Sequence, residues 1–226
     1  MASDTRRNVI FLTSVTGDLL AASLSNLATG KCVPDVVRSL DELTQMPAEG
    51  RTLLSFGTSV IVPAGMIERF EGRAYNLHAA SPEFPGRDPH HFAIYAGANR
   101  YGATLHVMTP KVDEGQILNV EWFDVDKDET PYTLLERANQ AAMRLLKRYS
   151  KKLEAGLPLV PDVTVAWGAP KRSRADFQAM CTLDASIDAE EFQRRFRAFD
   201  GGAHNNLTVK LHGRIFRIDK SVKKTD

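Results

Sequence analysis

Asn76 and His78 stand two positions apart in the stretch Ala-Tyr-Asn-Leu-His. On a strand that spacing sends both side chains to one face. An asparagine amide can donate to an oxygen that gains negative charge, and an imidazole can move a proton near neutral pH. A proline- and glycine-rich loop, AASPEFPG, follows the pair, and Asp113 sits further on in a second turn, VDEG. From there a carboxylate could orient the imidazole or stabilise its charged form. No serine or cysteine of these segments lies in a nucleophile elbow. An Asn/His/Asp set without a nucleophile suits transfer of an acyl group straight to an incoming amine. Spacing alone also allows a purely structural reading, with Asn in a turn, His half-buried and Asp in a β-turn.

These residues need a frame. NVIFLTSV (Asn8 to Val15) and TLLSFG (ending at Gly57) are apolar runs suited to strands buried on both faces. GDLLAASLSNLATG between them has helical periodicity and closes at Gly30. Asp41 to Met46 forms a helical turn, and PAGMIERF opens with Pro63 at a first helical position. GRAYNLH is the next strand, HHFAIYAG a short helix, and GATLHVM and GQILNVEWFDV two strands joined across the Asp113 turn. The strongest element starts at Thr130-Pro131 and closes at Gly156, with Thr130 as cap and a basic end suited to the helix dipole. Strands alternating with helices imply an α/β sheet of parallel strands. After Gly156, LPLVPDVTVAWGAPKRSR is an extended connector, which sets domains of 1–156 and 157–226. The second holds a helix, DAEEFQRRFRAF, with a capping-box variant at Asp188 and Glu191, and a hairpin turning at His212-Gly213.

Composition narrows the class. At 226 residues the chain can bury a sizeable core, and 43% hydrophobic with 25% charged residues is ordinary for a soluble globular protein. A net charge of +1 gives no global field to recruit nucleic acid or acidic lipid. Cys32 and Cys181 are too few for a disulfide framework and lack zinc spacing, so no metal is expected. The N-terminal stretch lacks the apolar core of a signal peptide, and no run reaches membrane-spanning length, so the expected location is cytoplasmic.

The segment from about Leu53 to Gly156 resembles the catalytic domain of the folate-dependent formyltransferases, which use N10-formyltetrahydrofolate. The resemblance rests on NLH closing a strand, the loop AASPEFPG, the strand GATLHVM, the turn VDEG and the upstream SFGTSVIVPAGMIERFEGR. It implies a Rossmann-like sheet with flanking helices. It further implies that Asn76 binds the formyl oxygen, that His78 transfers protons and stabilises the oxyanion, and that Asp113 orients His78 and helps deprotonate the amine. His106 matches the family's strand histidine, as structural support. The pteridine would lie against Gly57, Thr58, Ser59 and Val62 and against Val112 and Gly115 of the Asp113 loop, largely through backbone groups.

Two features depart from the family pattern. The loop after His78 is one residue shorter than the family's usual form and lacks the proline directly after the histidine. The N-terminal half is abbreviated, and TSVTGD lacks the glycine-rich phosphate cradle of the glycinamide ribonucleotide transformylases. The C-terminal run WGAPKRSRADF, with FRAF and the hairpin, most resembles the tails of sugar N-formyltransferases, which act on nucleotide-linked amino sugars. Lys171, Arg172 and Arg174 could then meet a pyrophosphate, or could form a solvated basic loop. Of Arg194, Arg195 and Arg197, at least one packs its stem while the others face water. His90 and His91 cannot both face one site, and Trp122 and Trp167 are assigned no role. The expected acceptor is the primary amine of a nucleotide-linked sugar; glycinamide ribonucleotide, another small amine and a non-catalytic folate-binding role are the alternatives. Oligomeric state stays open, a homodimer included.

Overall fold

β1 (Val9–Thr13) and β3 (Thr52–Phe56) are buried at every position and pair in parallel, with Phe11 beside Leu54. This is the burial on both faces that their unbroken apolar runs require. The computed structural model describes residues 8–28, 33–162, 164–201 and 205–217, so Gly30, Cys32 and the end of the hairpin stretch lie outside the described residues. β2 (Asp35–Val37), β4 (Ala74–His78), β5 (Arg100–Val107) and β6 (Ile117–Asp124) complete a six-stranded sheet of order β2-β1-β3-β4-β5-β6.

The sheet is mixed, with the expected parallel strands on one side and antiparallel ones on the other. β2, β1, β3 and β4 run parallel, whereas β4 with β5 and β5 with β6 are antiparallel. The reason is the connection after β4. Its helix, α4 (Pro89–Ala96), has 8 residues and stays at the end of the sheet where His78 sits, so the chain re-enters from that end and pairs Thr104 with His78. A parallel return would need a crossover over the sheet face. β2 escaped the sequence reading because an edge strand of 3 residues, with only Val37 buried, is too short to carry a periodicity.

Helices α1 (Gly17–Leu27) and α5 (Pro131–Glu154) cover one face. α5 presents Ala138, Ala141 and Ala142 between Leu134, Leu145 and Leu146, an apolar stripe whose small residues admit close approach to the sheet. It starts as expected, with Thr130 Oγ1 taking Thr133 N and Pro131 in the first turn. The other face is closed by α2 (Leu40–Gln45), α3 (Ala64–Glu68) and a cluster that includes Ile10, Leu12, Leu53 and Phe70. Pro63 is the cap of α3 rather than its first residue.

The C-terminal part comprises α6 (Arg174–Cys181), β7 (Thr182–Leu183), α7 (Ala189–Arg195) with a π-helical turn at Phe196–Asp200, β8 (Thr208–Leu211) and β9 (Arg214–Arg217). β8 and β9 turn at His212-Gly213, both with positive φ, the conformation that a tight hairpin turn demands. Leu183, Ala198, Phe199 and Leu207 join Phe92, Ala93, Tyr101 and Leu134 in one apolar cluster, which seats this part on α4 and α5. α6 was missed in sequence, although its Ser173/Asp176 capping box is legible there. Among the described residues no helix is long and apolar enough to cross a membrane.

Candidate active site

β4 has the burial pattern of a strand with one chemical face: Tyr75 and Leu77 are buried on one side, while Asn76 and His78 are half-buried on the other, beyond the buried Ala74. Asn76 lies directly across from His106 on β5, and Asn76 Nδ2 comes 3.0 Å from His106 Nε2. His106 Nδ1 is 2.9 Å from the Val107 carbonyl, which can only accept. The proton therefore sits on Nδ1, and Nε2 accepts from the Asn76 amide. Burial pushes the His106 pKa down to about 4, against the opposing pull of the Val107 carbonyl; His78 adds to the lowering and Asp113 opposes it. A neutral His106 fixes which way the Asn76 amide faces and leaves its second N–H for an oxygen in the cleft. The register of β5 and β6 shifts between Leu105 and His106, an irregularity of the kind that re-aims a side chain beside a site.

Asp113 arrives from the β5–β6 connection. The chain leaves β5 beside β4, where Met108 N donates to Ala74 O at 2.8 Å, then folds back toward His78. Asp113 has φ 51°, a left-handed backbone that Asp tolerates better than most residues. Its carboxylate is nearly sealed from solvent, and Oδ2 accepts from Gly86 N at 2.9 Å. His78 Nε2 lies 3.8 Å from Oδ2, and His106 Nε2 lies 3.8 Å from Oδ1. Both His78 Nε2 and Asp113 Oδ1 are buried and find no hydrogen-bond partner among the described residues. A buried polar atom left so costs about 1–3 kcal/mol and calls for an explanation. Here the two orphan atoms flank one gap beside the Asn76 amide.

The connector after Gly156 crosses this site. The Trp167 ring stands edge-on to His106, with centroids 5.0 Å apart, and 6.4 Å from the His78 ring. Its Nε1 donates to Gly115 O at 2.7 Å. Trp167 thus belongs to the site although sequence assigned it no role; no local signal could have found it, because the contact spans from the connector to β5. Gly115 lines neither of the cavities described below. It is the close-approach residue of the Asp113 loop, since a Cβ there would come 1.8 Å from Val107 O. Lys171 is engaged too, with Nζ bonded to Val112 O at 2.9 Å and Glu114 Oε1 at 2.7 Å.

Two cavities meet at these residues. The larger, about 730 Å³, runs from Asn76, His78 and Asp113 to Arg87, Arg172 and Arg174. The smaller, about 90 Å³, lies between the loop after β3 and the Asp113 loop, walled by Val60, Val62, Met108 and Pro110. They share Thr58, Ile61, Asn76, Val112 and Asp113. Gly57 and Ser59 border the larger cavity and Val62 the smaller. Gly57 has φ +57°, and a Cβ there would sit 2.5 Å from Val15 Cγ1, so the strand-to-loop turn needs glycine. His90 borders the larger cavity, while His91 is buried with Nδ1 2.6 Å from Ala198 O; the pair splits as expected. Trp122 is half-buried under the Arg100 guanidinium, and of the α7 region's arginines Arg194 lies over Tyr95, Arg195 pairs with Glu191 and Arg197 bonds Lys127 O.

Residues 40–149 match the family model described as formyl transferase. A methionyl-tRNA formyltransferase from Heliobacterium modesticaldum is 29% identical over 164 residues, covering 71% of this chain and 50% of that protein. The chain spans about half the length of the sequence relatives it matches. Among solved structures, a 4-N formyltransferase from Francisella tularensis superposes with a TM-score of 0.78 at 17% identity, over 97% of this chain and 99% of that one. An N-formyltransferase from Helicobacter canadensis, in complex with folinic acid and dTDP-3-aminofucose, gives a TM-score of 0.69 at 15% identity, over 92% and 85%. At such identities the structural likeness is one of fold.

Proposed function

We propose that this chain, which resembles the folate-dependent formyltransferases, moves a formyl group from N10-formyltetrahydrofolate to the primary amine of a nucleotide-linked amino sugar. The observation that carries the reading is the pair of orphan atoms, His78 Nε2 and Asp113 Oδ1, set beside a pre-oriented Asn76 amide where the two cavities join. The smaller cavity has apolar walls and backbone-rich loops on both sides, a fit for a flat heteroaromatic ring such as a pteridine, with Thr58 and Val112 at its mouth. The larger has room for an acceptor, and Arg87, Arg172 and Arg174 line it, a fit for phosphate oxygens. Two fold neighbours were solved with nucleotide-linked sugars, one carrying an amino group and one a formamido group.

The amine lone pair attacks the formyl carbon and forms the new C–N bond, while the carbonyl electrons move onto oxygen. The Asn76 Nδ2–H and a protonated His78 Nε2–H donate to that oxygen. Asp113, held by Gly86 N, takes the proton that the attacking nitrogen sheds. The carbonyl then reforms, the carbon–N10 bond breaks, and the electron pair leaves with N10, which takes up the proton held by Asp113. The products are a formamide and tetrahydrofolate, and no metal takes part in these steps. Residues 1–156 form the catalytic part in this reading, and 157–226 a smaller part that closes the site.

The test is a panel of nucleotide-linked amino sugars, glycinamide ribonucleotide and small amines, each incubated with N10-formyltetrahydrofolate and read by product mass. Formylation of nucleotide-linked amino sugars above the other amines is expected. Formylation of glycinamide ribonucleotide or a small amine instead would move the acceptor, and none at all would reduce the chain to a folate-binding protein.

A further inference from the structure

The strap from Trp167 to Arg172 touches both loops that hold Asp113. On one side, Trp167 Nε1 donates to Gly115 O, and Lys171 Nζ reaches Val112 O and Glu114. Val112 and Glu114 flank Asp113 directly, and Gly115 follows. On the other side, Arg172 N donates to Pro85 O at 3.0 Å and Arg87 N donates to Arg172 O at 2.8 Å, which makes a β-bridge around Gly86. Gly86 is the residue whose N–H holds Asp113 Oδ2. A Cβ on Gly86 would come 2.3 Å from Arg172 O, so this approach is as close as a backbone allows. Gly168 N also donates to Pro82 O at 2.8 Å, and a Cβ on Gly168 would meet Glu83 O at 2.5 Å. Asp113 itself sits in a left-handed backbone conformation with one oxygen unpartnered. Such a residue keeps its place only where its surroundings over-determine it.

We infer that this strap is the clamp that positions Asp113, and that Trp167 is its principal positioning residue. The indole N–H fixes the Gly115 carbonyl, and the ring, edge-on to His106, walls the space in which Asp113 faces the two imidazoles. The role in turnover rests on the formyl-transfer reading; the clamp itself does not. The strap also carries Arg172, so the segment that meets the acceptor is the one that holds the acid–base group.

Two variants test this. Trp167→Phe keeps a ring and removes the N–H; Lys171→Met removes the two Nζ bonds. Amide hydrogen exchange across 112–116 should speed up in both, while exchange in β1 and β3 stays at the wild-type rate. In Trp167→Phe, kcat should fall about tenfold to a hundredfold with KM for the formyl donor and acceptor little changed, because misplacing a reacting group costs turnover rather than binding. Wild-type exchange at 112–116 in both variants overturns the clamp. Faster exchange with an unchanged kcat in Trp167→Phe overturns the positioning role. If the wild-type chain transfers no formyl group, the exchange result alone decides the clamp, and the two failures stay distinct.

Discussion

Asn76 enters the cleft with its amide already bonded on one side to a neutral His106. The spacing of Asn76 and His78 was legible because a strand alternates its side chains, and Asp113 because it sits in the short turn VDEG between two strand-like runs. The part played by His106 was not, since it depends on the antiparallel register that sets His106 opposite Asn76. That part has a pH signature. The folded-state pKa of about 4 lies below the ordinary 6.5, so between those values the unfolded chain binds the proton more readily. The stability contributed by keeping His106 neutral is whole above pH 6.5 and is lost as pH falls toward 4. The thermal midpoint of His106→Gln should therefore drop less than that of the wild type between pH 7 and pH 5. Equal drops in the two proteins would contradict a buried neutral imidazole.

At the scale of elements, β1 and β3 followed from their apolar runs, and α5 from its periodicity and cap. Strand direction after β4 did not, because it depends on where a short helix lies and not on the residues of the strands. The strap through Trp167 was likewise hidden, since an extended segment has the same pattern whether it links domains or crosses a cleft. β5 holds one feature that stability can check. Tyr101 is fully buried among Phe84 and Phe123, its burial holds its pKa well above 10, and its hydroxyl has no hydrogen-bond partner among the described residues. Removing an unsatisfied buried hydroxyl relieves its desolvation cost. Tyr101→Phe should stabilise the protein by about 1 kcal/mol, which raises the thermal midpoint by about 2–4 °C in a chain of this size. A lower midpoint would mean that the hydroxyl is satisfied after all.

For the whole molecule, a net charge of +1 gives no long-range pull on an anionic acceptor, so attraction must be local. Lys171, Arg172 and Arg174 all border the larger cavity, but the Lys171 ammonium is spent on Glu114 and the Asp113 loop. The double variant Arg172→Ala with Arg174→Ala should raise the acceptor's KM about tenfold or more, leave the folate KM near its original value and weaken the salt dependence. An unchanged acceptor KM would leave the Arg172 and Arg174 side chains without a part in acceptor binding and favour an amine without phosphate. The Phe92 face under Arg172 makes a thermal-midpoint control necessary, because the variant also loses that contact. The central claim is that Asn76, His78 and Asp113 together move the formyl group, and one measurement reaches it directly: transfer of a labelled formyl carbon from N10-formyltetrahydrofolate to the acceptor by the wild-type chain and by Asn76→Ala, His78→Ala and Asp113→Ala. Label should appear in the acceptor's amide with the wild type, and each variant, still folded, should lose about a hundredfold or more in turnover. Near wild-type rates in all three variants would contradict the account.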